Sequence, residues 1–65
     1  MRVNLNQATW EELQLLEGIG ELTAEKIIAD RDSNGPYSTI DDLQRVSGIG
    51  PKTVEKLRPF LDCED

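Results

Sequence analysis

Gly18-Ile19-Gly20-Glu21-Leu22-Thr23-Ala24-Glu25-Lys26 returns thirty residues later as Gly48-Ile49-Gly50-Pro51-Lys52-Thr53-Val54-Glu55-Lys56. The same register aligns Thr9, Leu13 and Gln14 with Thr39, Leu43 and Gln44 upstream, and Glu11-Glu12 with Asp41-Asp42. A gapless match of this density makes the chain two copies of one unit, at 9–30 and 39–60. The linker expected between them, 31–38, is built around the turn-rich Asp32-Ser33-Asn34-Gly35-Pro36, and a polar tail follows at 62–65. Two such units fill one small domain, 1–65, with one modest core and no room for a deep cleft.

Each copy reads as helix, tight turn, helix. Thr9 and Thr39 stand before an apolar-periodic run, with Glu12 and Asp42 three residues later, close to the capping-box pattern that starts a helix. Trp10, Leu13 and Leu16, like Ile40, Leu43 and Val46, then set one apolar stripe on each first helix. Gly18 and Gly48 end those helices, because glycine reaches the left-handed backbone of a C-cap without steric cost. Ala24, Ile27 and Ile28 in one unit, and Val54, Leu57 and Leu61 in the other, give the buried face of a second helix, which Pro51 opens without loss of a hydrogen bond. No strand-like alternation occurs. The expected fold is all-α: two tandem units, four short helices. Its core is expected to hold Leu13, Leu16, Ile19, Ile27, Ile28, Leu43, Val46, Ile49, Val54, Leu57 and Leu61, with the Tyr37 ring tucked against it.

Composition narrows the chemistry. Thirteen acidic residues against seven basic ones give a net charge of -6, which by itself argues against a polyanionic partner. Histidine is absent and cysteine occurs once, at Cys63, so no disulfide within the chain, no His/Cys metal cluster and no cofactor is expected. Cys63 reads as an incidental exposed thiol in the tail. No apolar run approaches the roughly 18 residues that span a bilayer, so membrane insertion by this segment is not expected. Glu11-Glu12 and Asp41-Asp42 look like paired carboxylates, but in the first turn of a capped helix a negative charge simply stabilises. With no nucleophile and base in prospect, the chain does not read as an enzyme.

The two Gly-Ile-Gly turns carry the functional signal. Glycines around one aliphatic residue leave backbone amides uncovered at a helix N-terminus, where the helix dipole favours a phosphate oxygen, while the isoleucine turns inward. The units differ in charge. Residues 43–61 hold Arg45, Lys52, Lys56 and Arg58 against Glu55, a balance of +3, whereas 13–31 hold Lys26 and Arg31 against Glu17, Glu21, Glu25 and Asp30, a balance of -2. Lys52 lies two residues beyond Gly50, and Thr53 and Lys56 share its helix, so the second turn is the stronger candidate for phosphate. The first has Leu22 at the corresponding place and is flanked by Glu17 and Glu21.

On Val3-Asn4-Leu5-Asn6, Ala8-Thr9-Trp10-Glu11-Glu12-Leu13, both Gly-Ile-Gly turns, Asn34-Gly35-Pro36-Tyr37, Asp41-Asp42-Leu43 and Lys56-Leu57, the chain resembles the double helix-hairpin-helix domain of ComEA-type competence DNA receptors. The resemblance implies two units related by a pseudo-two-fold axis in a small bundle like that of SAM domains. It also implies non-specific binding of duplex DNA through its sugar-phosphate backbone, without catalysis. The amides it carries over are those of Gly18, Gly20, Gly48 and Gly50. Together with the reading of the residues, the candidate phosphate site is Gly18, Ile19, Gly20, Gly48, Ile49, Gly50, Lys52, Thr53 and Lys56. Proteins of a DNA uptake or repair machinery are further expected partners. The expected compartment is cytoplasmic for a complete chain and extracytoplasmic for a piece of a competence receptor. The alternative is an acidic protein–protein interaction module of the same fold that has lost DNA binding, which the net charge favours and the two intact turns oppose.

Overall fold

Thr9 and Thr39 both close capping boxes. Each hydroxyl accepts from the backbone N–H three residues on, and the carboxylate of Glu12 or Asp42 accepts from the threonine N–H in return. These boxes start the first element of each unit: α1, Trp10–Leu13, and a 3₁₀ helix, Ile40–Arg45. The second elements are α2, Glu21–Asn34, and α3, Pro51–Leu57, which runs into a 3₁₀ turn at Arg58–Phe60. The computed structural model describes residues 2–64.

The helix α2 continues four residues into the stretch expected as linker, ending where Gly35 takes a positive φ of 89° ahead of Pro36. Asp32, Ser33 and Asn34 are turn formers, but nothing in them forbids a helix. Asn34 Nδ2 donates back to Asp30 Oδ1 at 2.7 Å, and the Arg31 guanidinium, from the same last turns, donates to Leu5 O at 2.7 Å. The connection between units is correspondingly short and is pinned by Tyr37, whose side chain is buried and whose hydroxyl donates to Ile27 O at 3.3 Å.

Two strands of two residues each join the helices without changing the all-α class. β1, Val3–Asn4, pairs in parallel with β2, Leu61–Asp62, joining the two ends of the chain. Pairs this short have no periodicity for a sequence to display. The pairing buries Val3, Leu5 and Leu61, and Leu5 N donates to Asp62 O at 2.8 Å. The tail is likewise held in place: Arg2 pairs with the Asp62 carboxylate, and Cys63, half-buried against the core, directs Sγ at Ser38 O. Asp65 lies outside the described residues.

One cluster of buried side chains runs through both units. It contains every residue of the expected core except Ile28, which is half-buried at its edge, and adds Val3, Leu5 and Ala8 from the N-terminal segment. Trp10 is also half-buried, its Nε1 donating to Glu21 O at 3.2 Å, whereas Leu15, Leu22 and Phe60 are exposed. No helix is long and apolar enough to cross a membrane among the described residues.

The N-terminal segment belongs to the core, so Leu5→Ala is expected to cost about 2–5 kcal/mol in urea unfolding. Leu15→Ala, at a site 64% exposed, is expected to change stability by about 0.5 kcal/mol or less.

Candidate nucleic-acid interface

Both turns between helices have the same construction. Gly18 and Gly48 sit at φ 86° and 95°, in the region that a side chain makes costly, and reverse the chain. They are not the helix C-caps expected: the first elements already stop at Leu13 and Arg45, with Gln14 and Val46 as C-caps, and the glycines serve the turn that follows. The next residue points inward: Ile19 and Ile49 are buried, and their N–H groups donate to Leu16 O at 3.1 Å and Val46 O at 3.0 Å. Both isoleucines thus serve the core and spend their amides inside the turn. Their part in an anion site is limited to anchoring the loop.

Gly20 and Gly50 are different. Their φ angles, -95° and -111°, suit any residue, and a Cβ at either position would meet nothing within 4 Å. They are the N-caps of α2 and α3, and neither helix start receives a side-chain capping bond, in contrast to the boxes at Thr9 and Thr39. The first internal bonds are Ala24 N to Gly20 O at 2.9 Å and Val54 N to Gly50 O at 3.1 Å, which leaves the N–H groups of the preceding residues unpartnered within their helices. Among the described residues, the N–H groups of Gly18, Gly20, Gly48 and Gly50 also find no backbone acceptor. Each turn therefore gathers backbone donors without a backbone acceptor at the positive end of a helix dipole.

Ion pairing redistributes the basic residues from what sequence position suggests. Arg45 donates twice to Asp30 Oδ2, at 3.0 and 2.8 Å, reaches Gly35 O at 3.1 Å, and lies 4.5 Å above the centre of the Tyr37 ring. Burial works against the Asp30 charge, but hydrogen bonds from Asn34 and Arg45 and the Arg45 charge hold its carboxyl below the usual range. Burial, and then the hydrogen bond and charge of Asp30, push the Tyr37 phenol up. Arg58 pairs with Asp41 at 2.6 Å and Glu55 at 2.8 Å. The +3 balance of the second unit is thus largely spent within the domain.

Lys56 is the most consequential case. Its Nζ lies 2.8 Å from Glu17 Oε1, the residue immediately before Gly18, so it sits at the first turn rather than the second. Its hydrogen bond, and then its charge, hold the Glu17 carboxyl below its ordinary value. Lys52 is exposed on the first turn of α3, two residues from Gly50, and Thr53 beside it is half-buried. Among the described residues, Lys26 and Lys52 are the basic side chains that form neither a salt bridge nor a hydrogen bond; Arg31 is held by Leu5 O.

Two bare-amide turns, each bracketed by glycines and set between a capped first element and an uncapped second one, define a helix-hairpin-helix architecture. Residues 1–62 match the helix-hairpin-helix motif family, and the chain belongs to it. Over 39 residues, 60% of this chain, it is 54% identical to ComE operon protein 1 of Bacillus subtilis (strain 168). The chain spans 19% of that relative's length.

The Glu17–Lys56 pair contributes stability that is present above the ordinary glutamate range, roughly pH 4 to 5. Because the folded value is lowered, that contribution is lost as pH falls through it. Side-chain NMR of Lys56→Gln should show Glu17 titrating at its ordinary value. The melting temperature should hardly move, since both partners are exposed.

Proposed function

We propose that the domain binds DNA without sequence preference, its hairpin amides and nearby lysines holding phosphates, as one part of a DNA-uptake or related DNA-processing protein. It binds and does not catalyse. The observation that carries this reading is glycine at positions 20 and 50, where neither backbone angle nor neighbouring atoms call for it. Glycine there keeps the backbone open to a group arriving from outside. The family match and the identity to ComE operon protein 1 support the same reading.

The second hairpin is the stronger grip. It has Lys52, with Ser47 and Pro51 around the turn, where the first has Leu22, Glu17 and Glu21. Contacts of this kind meet phosphates and no base edges, so they carry no sequence information. Few unpaired cations on a domain of net charge -6 make binding weak and confined to low salt.

Fluorescence anisotropy with a labelled duplex is expected to show binding whose log affinity falls with log salt at a shallow slope, on the order of -2. Scrambling the duplex sequence should leave the affinity unchanged. Lys52→Glu should abolish the signal. Gly50→Val should do the same while lowering stability by about 1 kcal/mol or less, because the added side chain stands in open space. No binding to any duplex at low salt would leave the acidic protein-docking module of the same fold as the better reading.

A further inference from the structure

The position of the Glu17–Lys56 pair within the repeat determines where its counterpart falls. In the thirty-residue register, Asp30 corresponds to Phe60 and Arg45 to Leu15. Asp30 and Arg45 are joined across the units at 2.8 Å, and Phe60 and Leu15 line one surface pocket together with Leu16 and Glu17. The two neighbourhoods exchange when the units exchange, which is the signature of a two-fold relation: if one residue lies near another across the axis, their counterparts lie near each other as well. One edge of the axis holds an ion pair and the other a small apolar pocket. The same exchange carries Glu17 and Lys56 onto Ser47 and Lys26.

We propose that Lys26, on α2 of the first unit, reaches across to the second hairpin and binds DNA phosphate there beside Lys52. Each hairpin then borrows the lysine six residues past the other hairpin's second glycine. At the first turn the borrowed lysine, Lys56, meets the Glu17 carboxylate, which occupies the place of a phosphate. At the second turn the position of that carboxylate is taken by Ser47, which has no charge, and Lys26 has no ion-pair partner among the described residues. An ammonium left without its carboxylate is available to a phosphate oxygen. The cationic surface of the second hairpin thus comes from both units, although neighbouring residues in sequence would assign it Lys52 and Lys56.

This inference rests on the DNA-binding reading, and anisotropy against salt separates the two. Lys26→Gln should make the salt slope shallower by about 0.9, the loss of one phosphate contact. Lys56→Gln should change it far less, and Glu17→Gln should steepen it by up to about the same 0.9 by releasing Lys56. A wild-type domain that binds duplex while Lys26→Gln keeps its slope and affinity would overturn the role of Lys26 and leave DNA binding standing. A wild-type domain that binds no duplex would overturn both. A DNA-free measurement checks the placement: the carboxyl introduced by Ser47→Glu should titrate below its ordinary value by NMR, and return to it when Lys26→Gln is added. An ordinary value in both backgrounds would also overturn the proposal.

Discussion

The left-handed backbone at Gly18 and Gly48 is the constraint on which the rest depends. It reverses the chain within one residue, and in doing so sends the next side chain inward. Ile19 and Ile49 gain burial, which holds the loop against the core. Gly20 and Gly50 follow as helix N-caps that bring no side chain to the helix start. The unpaired backbone donors at each start are therefore a by-product of the turn that folds the unit, fixed by the core rather than by a side chain. The contrast with Thr9 and Thr39 is instructive. Those helix starts are sealed by their own side chains, and the two starts that follow the hairpins are left open.

Features governed by neighbours in sequence were legible in the sequence. The capping boxes, the reversals at Gly18 and Gly48, the inward isoleucines and the Pro51 helix start each follow from residues within a turn of one another. The length of α2 was not, because a helix through Asp32-Ser33-Asn34 is a matter of what Arg31 and Asp30 find elsewhere in the fold, at Leu5 O and Arg45. Nor was the pairing of Val3–Asn4 with Leu61–Asp62, whose partners lie at opposite ends of the chain. For the candidate site, both turns and Lys52 can be read from neighbouring residues, whereas the pairing of Lys56 with Glu17 of the first turn cannot. Among the described residues, only Arg58–Glu55, three residues apart across the end of α3, was an ion pair that spacing would reveal. The partners of Arg45 and Lys56 lie in the other repeat unit and are set by packing.

The acidity of the domain acquires a structural meaning once the pairs are mapped. Asp30, Asp41, Glu17, Glu55 and Asp62 each answer a particular basic residue, so a good part of the negative charge organises the positive charge rather than merely outweighing it. Exposed pairs of this kind add little stability. Their larger effect is on the field outside: they silence arginines that would otherwise spread positive potential over the surface.

The parallel pairing of Val3–Asn4 with Leu61–Asp62 brings the entry and exit of the fold side by side. Because the strands run parallel, a polypeptide joined at both ends would arrive at one end of this two-residue pair and depart at the other, a short step away. Such a module can be set into a loop of another protein, or closed on itself and reopened elsewhere, without disturbing the hairpins. The architecture is thus a plug-in whose attachment point and hairpin turns are separately specified.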